Sequence, residues 1–122
     1  MDTAVVIEDV LAELAVPADG TLSRVLFRSE AVRLVGFAFA QGQELTEHSS
    51  ALEVVIQVVR GRLSLTLGDA DPVQVGPAGW VHLPPRLAHS VHALEPTVML
   101  LTMLGGAGGT RTRDQGIMSP QL

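Results

Sequence analysis

The sequence predicts an all-β domain, a sandwich or small barrel, and three observations carry that prediction. About eight short apolar runs follow one another between Thr21 and Leu104, separated by turn residues. Leu63, Leu65 and Leu67 alternate with Arg62, Ser64 and Thr66, the period-two pattern of a strand with one buried face. The composition can fill a core: 47% of residues are hydrophobic and 17% charged, too apolar a chain to stay disordered. Its 122 residues suit one domain of ordinary size.

The first element is the exception to the β pattern. Between Ala4 and Val16, Ile7, Val10, Leu11 and Leu14 fall at helical spacing with Glu8, Asp9 and Glu13 between them. This predicts a short amphipathic helix, ended by Pro17-Ala18-Asp19-Gly20. Strands then follow in order. Val32 to Ala40 carries Phe37 and Phe39 on one face and stops at Gln41-Gly42-Gln43. Glu53 to Val59 is β-branched and turns at Arg60-Gly61 into the Leu63–Leu67 run. Gly68-Asp69-Ala70-Asp71-Pro72 is a strong turn signal before Val73 and Val75. Trp80 to Leu83 ends at Pro84-Pro85, and Glu95-Pro96 divides His89–Leu94 from Thr97–Leu104.

The expected organisation is a helix and turn over 1–20, a barrel over 21–104 and a flexible tail over 105–122, which opens with a glycine-rich stretch. In the strand over 53–59, Val54, Ile56 and Val58 make one apolar face, and Val55 and Val59 add apolar side chains to the other. One barrel interior cannot take both faces, so the second needs a cover, and a homodimer is the simplest.

Charge and composition exclude several function classes. Thirteen acids face eight bases, all of them Arg, for a net charge of −5. No basic stripe is visible, so nucleic acid is not expected as a partner. The chain has no cysteine, which removes disulfides, thiolate metal sites and a cysteine nucleophile. The apolar runs are too short to span a membrane, and Met1-Asp2-Thr3 lacks the basic opening of a signal peptide. A cytoplasmic location is expected. There is no phosphate-binding glycine loop, no His-Glu-x-x-His helix and no Gly-x-Ser-x-Gly elbow.

Chemistry near neutral pH rests on four histidines, His48, His82, His89 and His92. His48 closes the run Gly42-Gln43-Glu44-Leu45-Thr46-Glu47-His48, and His89 opens a strand after Leu83-Pro84-Pro85-Arg86-Leu87-Ala88. Gly42, His48 and Gly61, with Glu53 near the place of an acid, resemble the first motif of the cupin superfamily. Gly79, Pro84 and His89 resemble its second. The likeness runs from about Ser23 to Leu104 and is greatest to the small single-domain bacterial cupins. It implies a double-stranded β-helix, a jelly-roll barrel with its site inside one mouth.

The resemblance also implies one divalent metal held by three His and one Glu. Here the second His position is Ser50 and the Glu position is Val54. Arg86 replaces a usual glycine, and the acid usual after Gly79 is replaced by Trp80 or deleted. His48 and His89 remain as candidate ligands for iron, manganese, nickel, copper or zinc, and Glu53 is one residue out of register.

Three readings follow. In the first, the barrel mouth binds a small organic ligand through His48, His89, Gln57, Trp80 and Arg86, over an apolar lining of Val54, Ile56, Val58, Val91 and Leu100. In the second, His48 and His89 hold the metal of an oxygenase or isomerase. In the third, the chain is a structural or regulatory dimer with a vestigial site, the reading that a filled interior favours. His82 and His92 are expected at the surface or an interface.

Overall fold

A computed structural model describes residues 3–105. The elements run α1 (Val10–Glu13), β1 (Thr21–Arg28), β2 (Val32–Phe39), β3 (Glu44–His48), β4 (Glu53–Arg60), β5 (Leu63–Leu67), β6 (Val73–Val75), β7 (Trp80–Leu83), β8 (His89–Ala93) and β9 (Thr97–Leu104). Two antiparallel sheets face each other. One has the order β1-β2-β9-β4-β7 and the other β3-β8-β5-β6. The all-β prediction holds. β1 and β3 are the two strands that the apolar runs did not single out, because both are mostly exposed, β1 mixes apolar and polar residues without clean alternation, and β3 is polar apart from Leu45. The tail expected over 105–122 lies outside the described residues beyond Gly105.

Alternation places the core. Val54, Ile56 and Val58 of β4 are buried, while Glu53 and Gln57 between and beside them are exposed. Across the gap Leu63 and Leu65 of β5 and Val91 and Ala93 of β8 are equally buried. With Phe39, Leu83, Met99 and Leu101 they form one packed cluster. Phe37 and Phe39 lie on one face of β2 as read, their rings stacked at 5.7 Å. The barrel interior is therefore a filled core over most of its length. This corrects the expected ligand lining: Ile56 and Val58 are deep in packing, and Leu100 sits on the other side of its sheet in a second cluster.

That second cluster answers part of the question of what covers the outer face. Leu14, Ala38 and Val98 are its buried members, with Leu11, Val16 and Leu22 packed around them. The chain's own N-terminal segment thus lies across the outer face of β2 and β9. Gly36 makes this possible, since a Cβ there would overlap the Leu14 side chain. Arg24 of β1 reaches Glu13 at 3.3 Å. The helix itself is much shorter than the Ala4–Val16 segment expected. Asp9 caps it by accepting from Leu11 N–H at 3.0 Å, and the residues before it, including β-branched Val5, Val6 and Ile7, stay extended or irregular.

Turns fix the registers. Gly61 has φ +88°, and a Cβ there would meet the Pro96 carbonyl and Thr97, so only glycine serves in the β4–β5 turn. The β1–β2 turn, the β3–β4 loop over 49–52, the β5–β6 turn and the β7–β8 loop over 84–88 all gather at one end of the barrel. That end is the mouth. No described helix is long and apolar enough to cross a membrane.

Two variants test the N-terminal cover. Leu14→Ala is expected to cost about 2–5 kcal/mol, measured by denaturant midpoint. Gly36→Ala alone should cost about 1–3 kcal/mol through overpacking. The double variant should cost clearly less than the sum, because the small side chain at 14 makes room for the added methyl.

Candidate functional site

β3 and β8 are neighbours, and after a register shift beyond Leu45 they set His48 directly opposite His89. Their rings lie 4.2 Å apart between centroids, tilted by 58°. His48 ends β3 and His89 begins β8, so the pair stands at the barrel mouth, one rung above buried Val91 and beside Leu67 of β5. His89 is buried at 3% exposure, whereas His48 is exposed.

Both rings are oriented by the backbone. His48 Nδ1–H donates to the Thr46 carbonyl at 2.8 Å, and His89 Nδ1–H donates to the Leu87 carbonyl at 2.9 Å. A carbonyl only accepts, so Nδ1 carries the proton in each ring and Nε2 keeps its lone pair. No described residue hydrogen-bonds either Nε2. Burial holds the His89 pKa below its usual value of 6.5; the bond to Leu87 opposes that shift, and the nearby His48 adds to it. The site thus presents two neighbouring imidazoles, each held through Nδ1, and one of them is buried.

The other expected site residues are not brought to this pair. Gln57 lies opposite Trp80 on β7, and both face outward. Trp80 is 60% exposed. Their place on the outer face follows from alternation: Ile56 and Val58 flank Gln57, and Val81 follows Trp80, all three turned into the core. Glu53 shares that outer face and pairs with His82 Nε2 at 2.6 Å. His92 pairs with Glu44 at 3.2 Å. These are solvent-exposed surface contacts, each worth little to stability.

Arg86 does lie at the mouth. It has φ +68°, the left-handed region where the resemblance implied glycine. Its N–H donates to the Ser50 carbonyl at 2.6 Å. This ties the loop leading into His89 to the loop leaving His48. Its side chain is exposed and has no ion-pair partner among the described residues.

The donor set does not fit the divalent metal that the fold family implies. Such an ion takes about four to six donors. Two imidazoles converge here, and no group of three or more His, Asp or Glu able to hold a metal occurs among the described residues. Glu53, the acid that the resemblance set near the ligand position, is on the outer face of β4 and engaged by His82. What the pair can do unaided is accept hydrogen bonds from a ligand O–H or N–H, or donate to an anion once protonated.

Two outcomes follow from this geometry. Folding depresses the His89 pKa, so the unfolded state binds more protons as pH falls through about 6.5. Wild-type stability should therefore fall from pH 7.5 to pH 5 more steeply than that of His89→Asn, compared by denaturant titration at both values. Arg86→Gly should raise stability by about 1 kcal/mol by relieving the left-handed backbone.

Neither a protein-family model nor a curated protein matches the chain. Solved structures do. A conserved protein of unknown function from Streptococcus pyogenes is 26% identical, with TM-score 0.74, covering 85% of this chain and 90% of its own. An RmlC-like cupin from Desulfovibrio desulfuricans is 24% identical, with TM-score 0.69, covering 87% and 98%. A cupin superfamily protein from Desulfitobacterium hafniense is 23% identical, with TM-score 0.65, covering 69% and 76%. The nine strands in two facing sheets among the described residues, a mouth that carries His48 and His89, and these likenesses make the chain a small cupin-fold protein, a double-stranded β-helix with a short N-terminal helix.

Proposed function

We propose that this protein binds a small organic ligand at the mouth of its barrel, with His48 and His89 as the polar anchor. The observation that carries the reading is the pair itself: two rings pinned through Nδ1, with both Nε2 atoms unpartnered among the described residues and one ring buried. A buried nitrogen without a partner costs free energy, and a ligand donor at that position removes the cost. Because the interior below is filled, the ligand sits on the rim, and Arg86 is placed to meet its anionic portion.

Native mass spectrometry of the untagged protein, followed by identification of any co-purified small molecule, tests this directly. Binding should be lost in His48→Ala and in His89→Ala, with the β-sheet circular dichroism retained. The His89 variant should also lose about 1–3 kcal/mol of stability. Undiminished binding in both variants would refute the anchor. Elemental analysis after metal restoration and removal of excess should give far less than one equivalent per chain. A full equivalent that disappears in His48→Ala would instead establish the metal-dependent oxygenase or isomerase.

The filled interior favours a second reading, a structural or regulatory dimer with a vestigial site, and the same ligand experiment separates the two. A homodimer belongs to either. The N-terminal segment covers only part of the outer sheet face, and Trp80 remains 60% exposed on edge strand β7. At micromolar concentration, light scattering should give twice the chain mass; the monomer mass would overturn the dimer.

A further inference from the structure

Arg28 ends β1 and Arg33 lies near the start of β2, and the two are direct cross-strand partners. Arg33 is also paired with Met103 of β9, and Met103 packs against the barrel core. Both guanidinium side chains therefore leave the sheet on its barrel side, at the mouth. Directly opposed side chains start about 5 Å apart at Cβ, and like charges so placed repel. Among the described residues, no carboxylate lies within ion-pair distance of either arginine. The chain as a whole carries a charge of −5, so acids are not scarce, yet this basic pair is left uncompensated.

The two arginines line one cleft of about 480 Å³ together with apolar Val32, Leu52 and Met103 and with Glu30. Leu52 belongs to the short loop that joins His48, at the end of β3, to β4, so the cleft and the imidazole pair share the mouth end of the barrel. Glu30 forms no ion pair with either arginine; it adds one negative charge to the rim.

From this geometry we infer that the Arg28–Arg33 cleft is an oxyanion subsite, holding the carboxylate or phosphate end of a small organic anion whose body crosses Leu52 and Met103 towards His48 and His89. Two planar guanidiniums present paired donors that match the oxygens of such a group and supply the counter-charge the pair lacks. The class of ligand rests on the mouth-binding reading above; the anion site itself does not.

The experiment is a titration with inorganic phosphate and, separately, citrate, at ionic strength held constant with sodium chloride. Binding is read from the Arg Nε–Hε resonances and from the melting temperature. Saturable shifts confined to Arg28 and Arg33 are expected with both probes. Affinity should fall at least tenfold in Arg28→Gln and in Arg33→Gln, both exposed positions that leave the core untouched. Arg60→Gln, at the far end of the sheet, should bind as wild type and controls for net charge. Glu30→Gln should bind more tightly. Non-saturable shifts spread over all arginines, or equal affinity in the Arg28, Arg33 and Arg60 variants, would overturn the subsite. If phosphate binding depends on the two arginines while citrate binding is indifferent to His48→Ala and His89→Ala, the subsite stands and the link to the imidazole pair falls.

Discussion

The structure depends on one constraint, the alternation of side chains along strands whose inner faces must meet across a narrow barrel. Val54, Ile56 and Val58 from one sheet and Leu63, Leu65 and Val91 from the other are almost wholly buried against each other. A slip of one residue in any of these strands would exchange the core for the surface. The positive-φ glycine at Gly61 helps hold the register by letting the chain turn tightly against Pro96 and Thr97. Everything at the mouth is placed by strands whose registers this core has already set.

The same rule decides which polar residues meet. His48 and His89 reach one another because β3 ends and β8 begins at the same rim, and a register shift sets the two residues opposite. Gln57 and Trp80 are kept out by their parity, since their buried neighbours point inward. Glu53 is excluded for the same reason and is then taken up by His82. The chemistry of the mouth is therefore set by subtraction: an acid that might have completed a metal shell is one position away from the face where it would serve.

Much of this was legible in the sequence, and the parts that were not have physical causes. Apolar alternation and turn chemistry exposed seven of the strands individually, and the resemblance to cupin motifs pointed to His48 and His89 as residues of one site. β1 and β3 were not singled out, because strands with little buried area carry little periodicity. The N-terminal segment kept its apolar spacing while becoming mostly non-helical, since Leu14 is anchored by Gly36 rather than by helical propensity. The inner or outer position of Gln57 was readable from parity alone and was misjudged by placing a polar residue in the site for its chemistry. Arg28 and Arg33 gave no signal, because only the pairing of β1 with β2 sets them together.

Three locally unfavourable arrangements converge on one end of the barrel. Arg86 occupies a left-handed backbone conformation, His89 buries a ring nitrogen without a described partner, and Arg28 opposes Arg33. Ala78 is the other non-glycine residue with positive φ among those described, but it is a small turn residue whose N–H is satisfied by the Val58 carbonyl. Arg86 makes a comparable backbone bond and brings a guanidinium as well. Each feature costs free energy in the isolated chain, and each is relieved by, or made useful with, a bound polar group. Local violations that gather at an open rim, above a core that obeys every packing rule, mark the place where the sequence serves something other than its own stability. A barrel that merely held two copies together would need its outer face for that purpose, and these three features all lie elsewhere.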